Sequence, residues 1–229
     1  MTGNELYKTR KQSNKTQDEA ARELGVSQTY LSLLEKGRRP VTPALVVRAA
    51  RAFELSPLQL PLSANFLEAV PVSDDQMAAE LSALGYPGFS HIKPATARNP
   101  AEILASALNA NNRDARLVEA LPWILLEYPN LDWENLIKAA KLNDLQNRLG
   151  FMVSVALGSA EFREEKRVAV LLSKKIELLE TSRLVREGTL CRDSMLEAEK
   201  RWLKEHRSTG ARHWFLLTDL TAESMNYYA

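Results

Sequence analysis

Residues 15–40 read KTQDEAARELGVSQTYLSLLEKGRRP. Two short amphipathic runs meet at Gly25, and the second ends in a basic Gly/Pro turn. Thr16 stands where a helix N-cap belongs, with Glu19 three residues on, the spacing of a capping box. Ala20, Ala21 and Leu24 give that helix a narrow inward stripe. Gly25 can take the left-handed conformation that closes a helix without steric cost. Val26 plugs the corner and Ser27 offers a second N-cap. On the helix that follows, Leu31 and Leu34 point inward at i, i+3 spacing. Gln28, Ser32 and Lys36 form an outer stripe at i, i+4, i+8, flanked by Thr29 and Leu33. Gly37, Arg38, Arg39 and Pro40 then stop the helix and turn the chain.

The neighbouring sequence extends this pattern to five helices. Before it, ELYKTRKQ (5–12) reads as a polar first helix with Leu6 and Arg10 on one face. After it, Thr42-Pro43 restarts the chain with proline at the favoured first helical position. The run ALVVRAARAFEL supplies a fourth helix, and Pro57 opens a short fifth, PLQL. The plain interpretation of 15–40 is a helical hairpin with a solvated polar face. Three details favour a DNA-reading hairpin instead. The connection is very short and contains glycine. The second helix carries small polar and amide side chains at its N-terminal end, where base edges are reached. Gln can pair bidentately with adenine, and a Thr methyl can touch the thymine methyl. Charge agrees: residues 1–62 hold ten Lys/Arg against six Asp/Glu, a balance of +4, and residues 63–229 hold twenty against twenty-three, a balance of −3. A basic head on a mildly acidic body suits a head that meets phosphate.

Residues 5–60 resemble the lambda-repressor/Cro-type helix-turn-helix family, often called the XRE family. The residues that carry the resemblance are Arg10, Thr16-Gln17, Ala21, Gly25-Val26-Ser27, Leu31, Leu34-Glu35, Gly37, Arg38 and Pro40. It implies that Gln17 contacts DNA phosphate with its amide and its helix N-terminus. It implies that Ser27, Gln28, Thr29 and Ser32 face the DNA, and that Lys36, Arg38 and Arg39 lie near the backbone. Arg10 and Glu35 match a family ion pair that ties the first helix to the third, a structural role. The chain departs from the family at Ala20, where Leu is usual, which predicts looser packing at that corner. Leu33 on the outer face is also unusual, suited either to thymine methyls or to a partner's surface.

Beyond residue 62 the pattern is less specific. Residues 62–75 hold a short apolar helix and a polar break, placing the domain boundary between 1–62 and 63–229. The stretch 85–100 is rich in Gly and Pro and reads as loop. Candidate helices then cover 100–110, 114–127, 132–142, 144–158, 161–186, 190–206 and 211–219. In RVAVLLSKKIELLE the apolar positions 168, 171, 172, 176, 178 and 179 fit a 3.6-residue period rather than alternation. Asp132 and Thr189 are candidate caps. No internal repeat or convincing strand is evident, so the expected fold class is all-α: a five-helix N-terminal domain plus a larger helical C-terminal domain. The aromatics of LPWILLEYPNLDW and ARHWFLLTDL fit core packing, with a protein-binding groove as the functional alternative. The terminal AESMNYYA suits either docking or fraying.

No apolar run approaches the ~20 residues of a membrane span. The opening MTGNELYKTRK lacks the apolar region of a secretory signal. Cys191 is the only cysteine, which excludes an intrachain disulfide and a cysteine-rich metal site. The expected setting is reducing and cytoplasmic, with no cofactor and no metal. There is no Walker loop, GxSxG elbow, HExxH or Cys/His metal set. Arg201-WLKE-His206 fits the Arg-x4–6-His signature of HEPN-type ribonucleases, but Trp202 replaces the polar residue usual after that Arg. A helix-end histidine placed against the dipole is the simpler account of His206. Cys191 and Asp193 have no histidine near them in sequence, although folding could bring His91 or His213 close.

The sequence therefore reads as a non-enzymatic, DNA-binding transcription regulator. It is expected to act as a repressor and to bind operator DNA as a homodimer through the helix 27–36. The alternative is an antitoxin-like protein whose residues 63–229 neutralise a protein partner, since AKLNDLQNRLGF and TLCRDSMLEAEKRWLKEHR faintly resemble regulators encoded beside nucleotidyltransferase-type toxins. A ribonuclease fused to a helix-turn-helix is the third reading.

Overall fold

Four hydroxyl side chains decide where the first four helices begin. In the computed structural model, which describes residues 1–223, Thr2, Thr16, Ser27 and Thr42 each accept a backbone N–H three residues on. They open α1 (Gly3–Gln12), α2 (Gln17–Glu23), α3 (Gln28–Glu35) and α4 (Pro43–Ala52). At Thr2 and Thr16 the partner carboxylates Glu5 and Glu19 bond back to the cap N–H, completing capping boxes. Hydrogen bonds from Thr16 hold the Glu19 carboxyl below the usual carboxylate range. Gly25 (φ +60°) and Gly37 (φ +68°) take left-handed conformations just past α2 and α3, where a Cβ would be strained. The fifth expected helix is one 3-10 turn, Pro57–Gln59.

These elements form one of two compact units, Met1–Leu62; the other starts at Ser63. Its core is Leu6, Ala20, Ala21, Leu24, Leu31, Leu34, Leu45, Ala49 and Phe53, with Val26 packed against it at the corner. Ala20 is wholly enclosed. Gly3 lets α1 press on the end of α3: a Cβ there would lie 1.9 Å from the Leu34 carbonyl oxygen.

The second unit is a helical bundle around α9 (Gln146–Phe162). The surrounding helices are α5 (Asp74–Leu84), α6 (Pro100–Leu108), α7 (Ala115–Glu127), α8 (Trp133–Leu142) and α10 (Lys166–Glu180), followed by α11 (Glu197–His206) and α12 (Thr209–His213). α9 packs against α7, α8, α10 and α12, and buries side chains on nearly every face. Asp132 caps α8 through the Asn135 N–H, as its position in the sequence predicts. The all-α class holds, with one addition: Gly188–Thr189 (β1) pairs in parallel with Leu216–Leu217 (β2).

Several boundaries differ from the sequence reading. α5 was not among the expected helices, although Ser73 caps it and Gly85 (φ +93°) closes it. The expected helix 161–186 is two elements, broken where Glu164 takes φ +59°. The expected helix 190–206 begins only at Glu197, because the preceding backbone is committed elsewhere. Arg113 N–H donates to the Cys191 carbonyl and Asp193 N–H to the Asn111 carbonyl, at 2.9 and 2.8 Å. Thr189 is therefore not a cap; it lies in β1, and its hydroxyl donates to Asp193. The expected helix 211–219 gives way to β2 after His213.

The aromatic runs pack as core. Trp133 and Trp214 are buried, and the Trp214 indole donates to Ser154 Oγ at 2.8 Å. Tyr128 donates to the Leu84 carbonyl at 2.8 Å. Of the terminal AESMNYYA, only Ala222 and Glu223 lie within the described residues.

Candidate nucleic-acid interface

The candidate surface is the outer face of α3 with the turn that follows it. Ser27, Gln28, Thr29, Lys36, Arg38 and Arg39 are exposed, and Ser32 is half-buried beside them. Leu31 and Leu34, both fully buried, fix the roll of the helix that presents this face. Tyr30 is also exposed at the N-terminal end of α3, a contributor the sequence reading passed over. Its i+3 spacing from Ser27 was the signal that could have found it. Leu33 is half-buried, and its carbonyl accepts the Arg38 N–H at 2.9 Å, which sets the course of the basic turn.

A polar relay runs from the core of the unit to this surface. Arg10 and Glu35 are both buried and pair bidentately: Arg10 Nε and Nη2 donate to the two Glu35 oxygens at 2.6 and 2.9 Å. The hydrogen bond to Glu35 raises the Arg10 guanidinium above its ordinary range, against the opposing effect of burial. A third Arg10 nitrogen holds the Lys15 carbonyl at 3.0 Å, which ties down the entry to α2. Gln17 Nε2 donates to the same Glu35 carboxylate at 2.8 Å, and Gln28 Nε2 donates to Gln17 Oε1 at 2.5 Å.

The direction of this relay follows from the chemistry at its root. A carboxylate only accepts, so the Gln17 amide must turn its NH2 inward and its oxygen toward Gln28. Gln28 must then spend an N–H on Gln17. It is left with its carbonyl oxygen and its other N–H, an acceptor–donor edge of the kind that matches adenine N7 and N6. Gln17 keeps one N–H, so most of its amide serves to hold Gln28 rather than to face a phosphate. Ser27 accepts the Tyr30 N–H at 3.2 Å as the cap of α3, and its own hydroxyl proton is left for an outside acceptor.

The electrostatics are one-signed. Lys36, Arg38 and Arg39 make no ion pair among the described residues, whereas Lys15 is bound to Glu23 and Arg10 to Glu35. The unpaired cations stand at the C-terminal end of α3, where the helix dipole favours them and where phosphates flank a groove-bound helix.

The other residues singled out in the sequence lie in the second unit. Arg201 and His206 are exposed on α11; the His206 ring stacks on Trp202 with centroids 4.5 Å apart. Cys191 is fully buried with its thiol against the Ala107 and Leu108 carbonyls, and burial pushes its pKa up. His213 contacts Glu180 and Arg183, and His91 is exposed. Among the described residues no group of three or more His, Cys, Asp or Glu is placed to hold a metal ion. No helix among them is long and apolar enough to cross a membrane.

A family model described as Helix-turn-helix matches residues 6–60. Comparison with curated proteins and with solved structures found no match.

Proposed function

We propose that the chain is a sequence-specific repressor that binds its operator as a homodimer through residues 6–60, which match the helix-turn-helix family model. The relay that aims Gln28 outward carries this reading, because it spends a buried ion pair on orienting one surface amide. Gln28, Thr29 and Ser32 meet base edges; Lys36, Arg38, Arg39 and the remaining donors of Gln17 and Ser27 meet phosphate. Repression follows from occupying a promoter and needs no catalytic step or cofactor.

Dimerisation is supported by arithmetic and by the second unit's surface. One such head buries a modest interface, and useful affinity comes from two half-sites about one helical turn apart. Apolar side chains remain exposed on the second unit, among them Phe162 at 73%, Val170 at 58% and Leu178 at 51%. These side chains also support the alternative, in which the second unit holds a different protein as an antitoxin does.

A shift assay on the DNA upstream of the gene, with molar mass measured in solution, tests the proposal. Gln28→Ala with Thr29→Ala is expected to abolish sequence preference while weak, salt-sensitive binding remains. An unchanged footprint in that variant would remove α3 from the role. A monomeric mass that turns into a stable complex with the product of an adjacent gene would favour the antitoxin reading.

A further inference from the structure

The second unit contains an amphiphilic cleft of about 230 Å³, formed by the start of α7, the segment before α11, α11 itself and the chain through and beyond β2. Its wall is apolar: Met195, Leu203 and Leu217 form a hydrophobic cluster of their own. Trp202 lines the same cleft with 53% of its surface in solvent, an unusual position for the largest apolar side chain.

The charges around the cleft are unequal. Two arginines line it and both are neutralised. Arg113 is bound by Asp74 at 2.8 Å with its own side chain wholly buried, and Arg192 is bound by Glu199 at 2.7 Å. Two further carboxylates line it, Glu119 on α7 and Asp219 just past β2, and neither has a hydrogen bond or ion pair among the described residues. An apolar wall, a half-exposed indole with His206 stacked on one face, and two unspent carboxylates line one small space.

We infer that this cleft binds a small organic cation, an amine carried on an apolar body. The body takes the wall formed by Leu203 and Leu217, and the ammonium takes Glu119, Asp219 and the Trp202 face that His206 leaves free. A carboxylate or phosphate ligand finds no unspent cation among the described residues of the lining. The volume lies below the roughly 300–1,000 Å³ of a drug-sized site, so the ligand is compact. The inference goes beyond DNA binding and stands without it, since none of these residues belongs to the helix-turn-helix domain.

Isothermal titration of the full chain with 4-phenylbutylamine, 4-phenylbutanol and 4-phenylbutyrate tests it. The amine is expected to bind about tenfold more tightly than the alcohol, and the butyrate not measurably. Glu119→Gln with Asp219→Asn is expected to lower the amine to the alcohol's affinity and to leave the alcohol unchanged. Trp202→Leu is expected to weaken the amine more than the alcohol. Both carboxylates reach solvent, and an unchanged melting temperature verifies folding of each variant. Absence of amine binding, a preference for the butyrate, equal binding of all three, or an amine preference that survives the double substitution overturns the inference.

Discussion

Glu35 carries two duties that substitution separates. It neutralises Arg10 inside the first unit, and it fixes the amide of Gln17 that holds Gln28. Glu35→Gln leaves Arg10 buried without a counter-charge, which costs about 3–5 kcal/mol in stability, measurable by urea unfolding. Gln17→Ala keeps the ion pair and so leaves the urea midpoint nearly unchanged. It frees Gln28, and operator affinity is expected to fall about tenfold with little change on scrambled DNA. Fluorescence anisotropy on the two DNAs reads that difference, and equal losses on both would show that Gln17 acts through its own phosphate contact rather than through Gln28. Cys191 gives a second check at this scale. Its burial raises the thiol pKa, so at pH 8 the folded chain should resist a thiol-reactive dye and react only as fast as it opens. The caps at Thr16 and Ser27 and the inward Leu31 and Leu34 were legible in the sequence, because each follows from spacing within one helix. The Gln17–Glu35 and Gln17–Gln28 bonds were not. Periodicity tells which face a side chain takes, not which way an amide turns between two elements.

Among the elements, α9 shows how one missing side chain positions another helix's anchor. An ideal Cβ on Gly150 would lie 2.3 Å from the Trp214 ring, so the indole occupies the space a side chain would fill. Helix propensity alone would make Gly150→Ala stabilising by about 1 kcal/mol. The clash is with a buried ring that is itself bonded to Ser154, so it cannot swing away. Overpacking of this kind costs about 1–3 kcal/mol, and the net effect is expected to be a lower melting temperature. Gly150→Ala melting at or above the parent would show that the ring yields. The same element scale marks the limit of the sequence reading. α8 was legible with its cap at Asp132, and α7 lies within the expected helix 114–127. The start of α11 was not, because the residues before it bond to the 111–113 segment, some eighty positions away. Gly150 and Trp214 lie sixty-four positions apart, so nothing local to either reveals the notch.

At the scale of the whole molecule, the number of heads on the DNA is written in the salt dependence of binding. At the end of α3 each head offers three cations that make no ion pair among the described residues: Lys36, Arg38 and Arg39. Each phosphate contact on duplex DNA contributes about −0.9 to the slope of log K against log salt. A monomer using these three gives a slope of about −3, and a dimer using six gives about −5. Arg38→Ala with Arg39→Ala then removes two contacts from a monomer or four from a dimer, so the slope falls by about 2 or by about 4. The dimer values are expected, measured by titrating operator DNA at several salt concentrations. A spacer insertion supplies the geometric control. Adding about five base pairs between the half-sites turns one head to the opposite face of the duplex and should return the slope to the monomer value. A slope near −3 on the intact operator, unmoved by the insertion, would mean that one head binds alone and that the exposed apolar surface of the second unit serves a different partner.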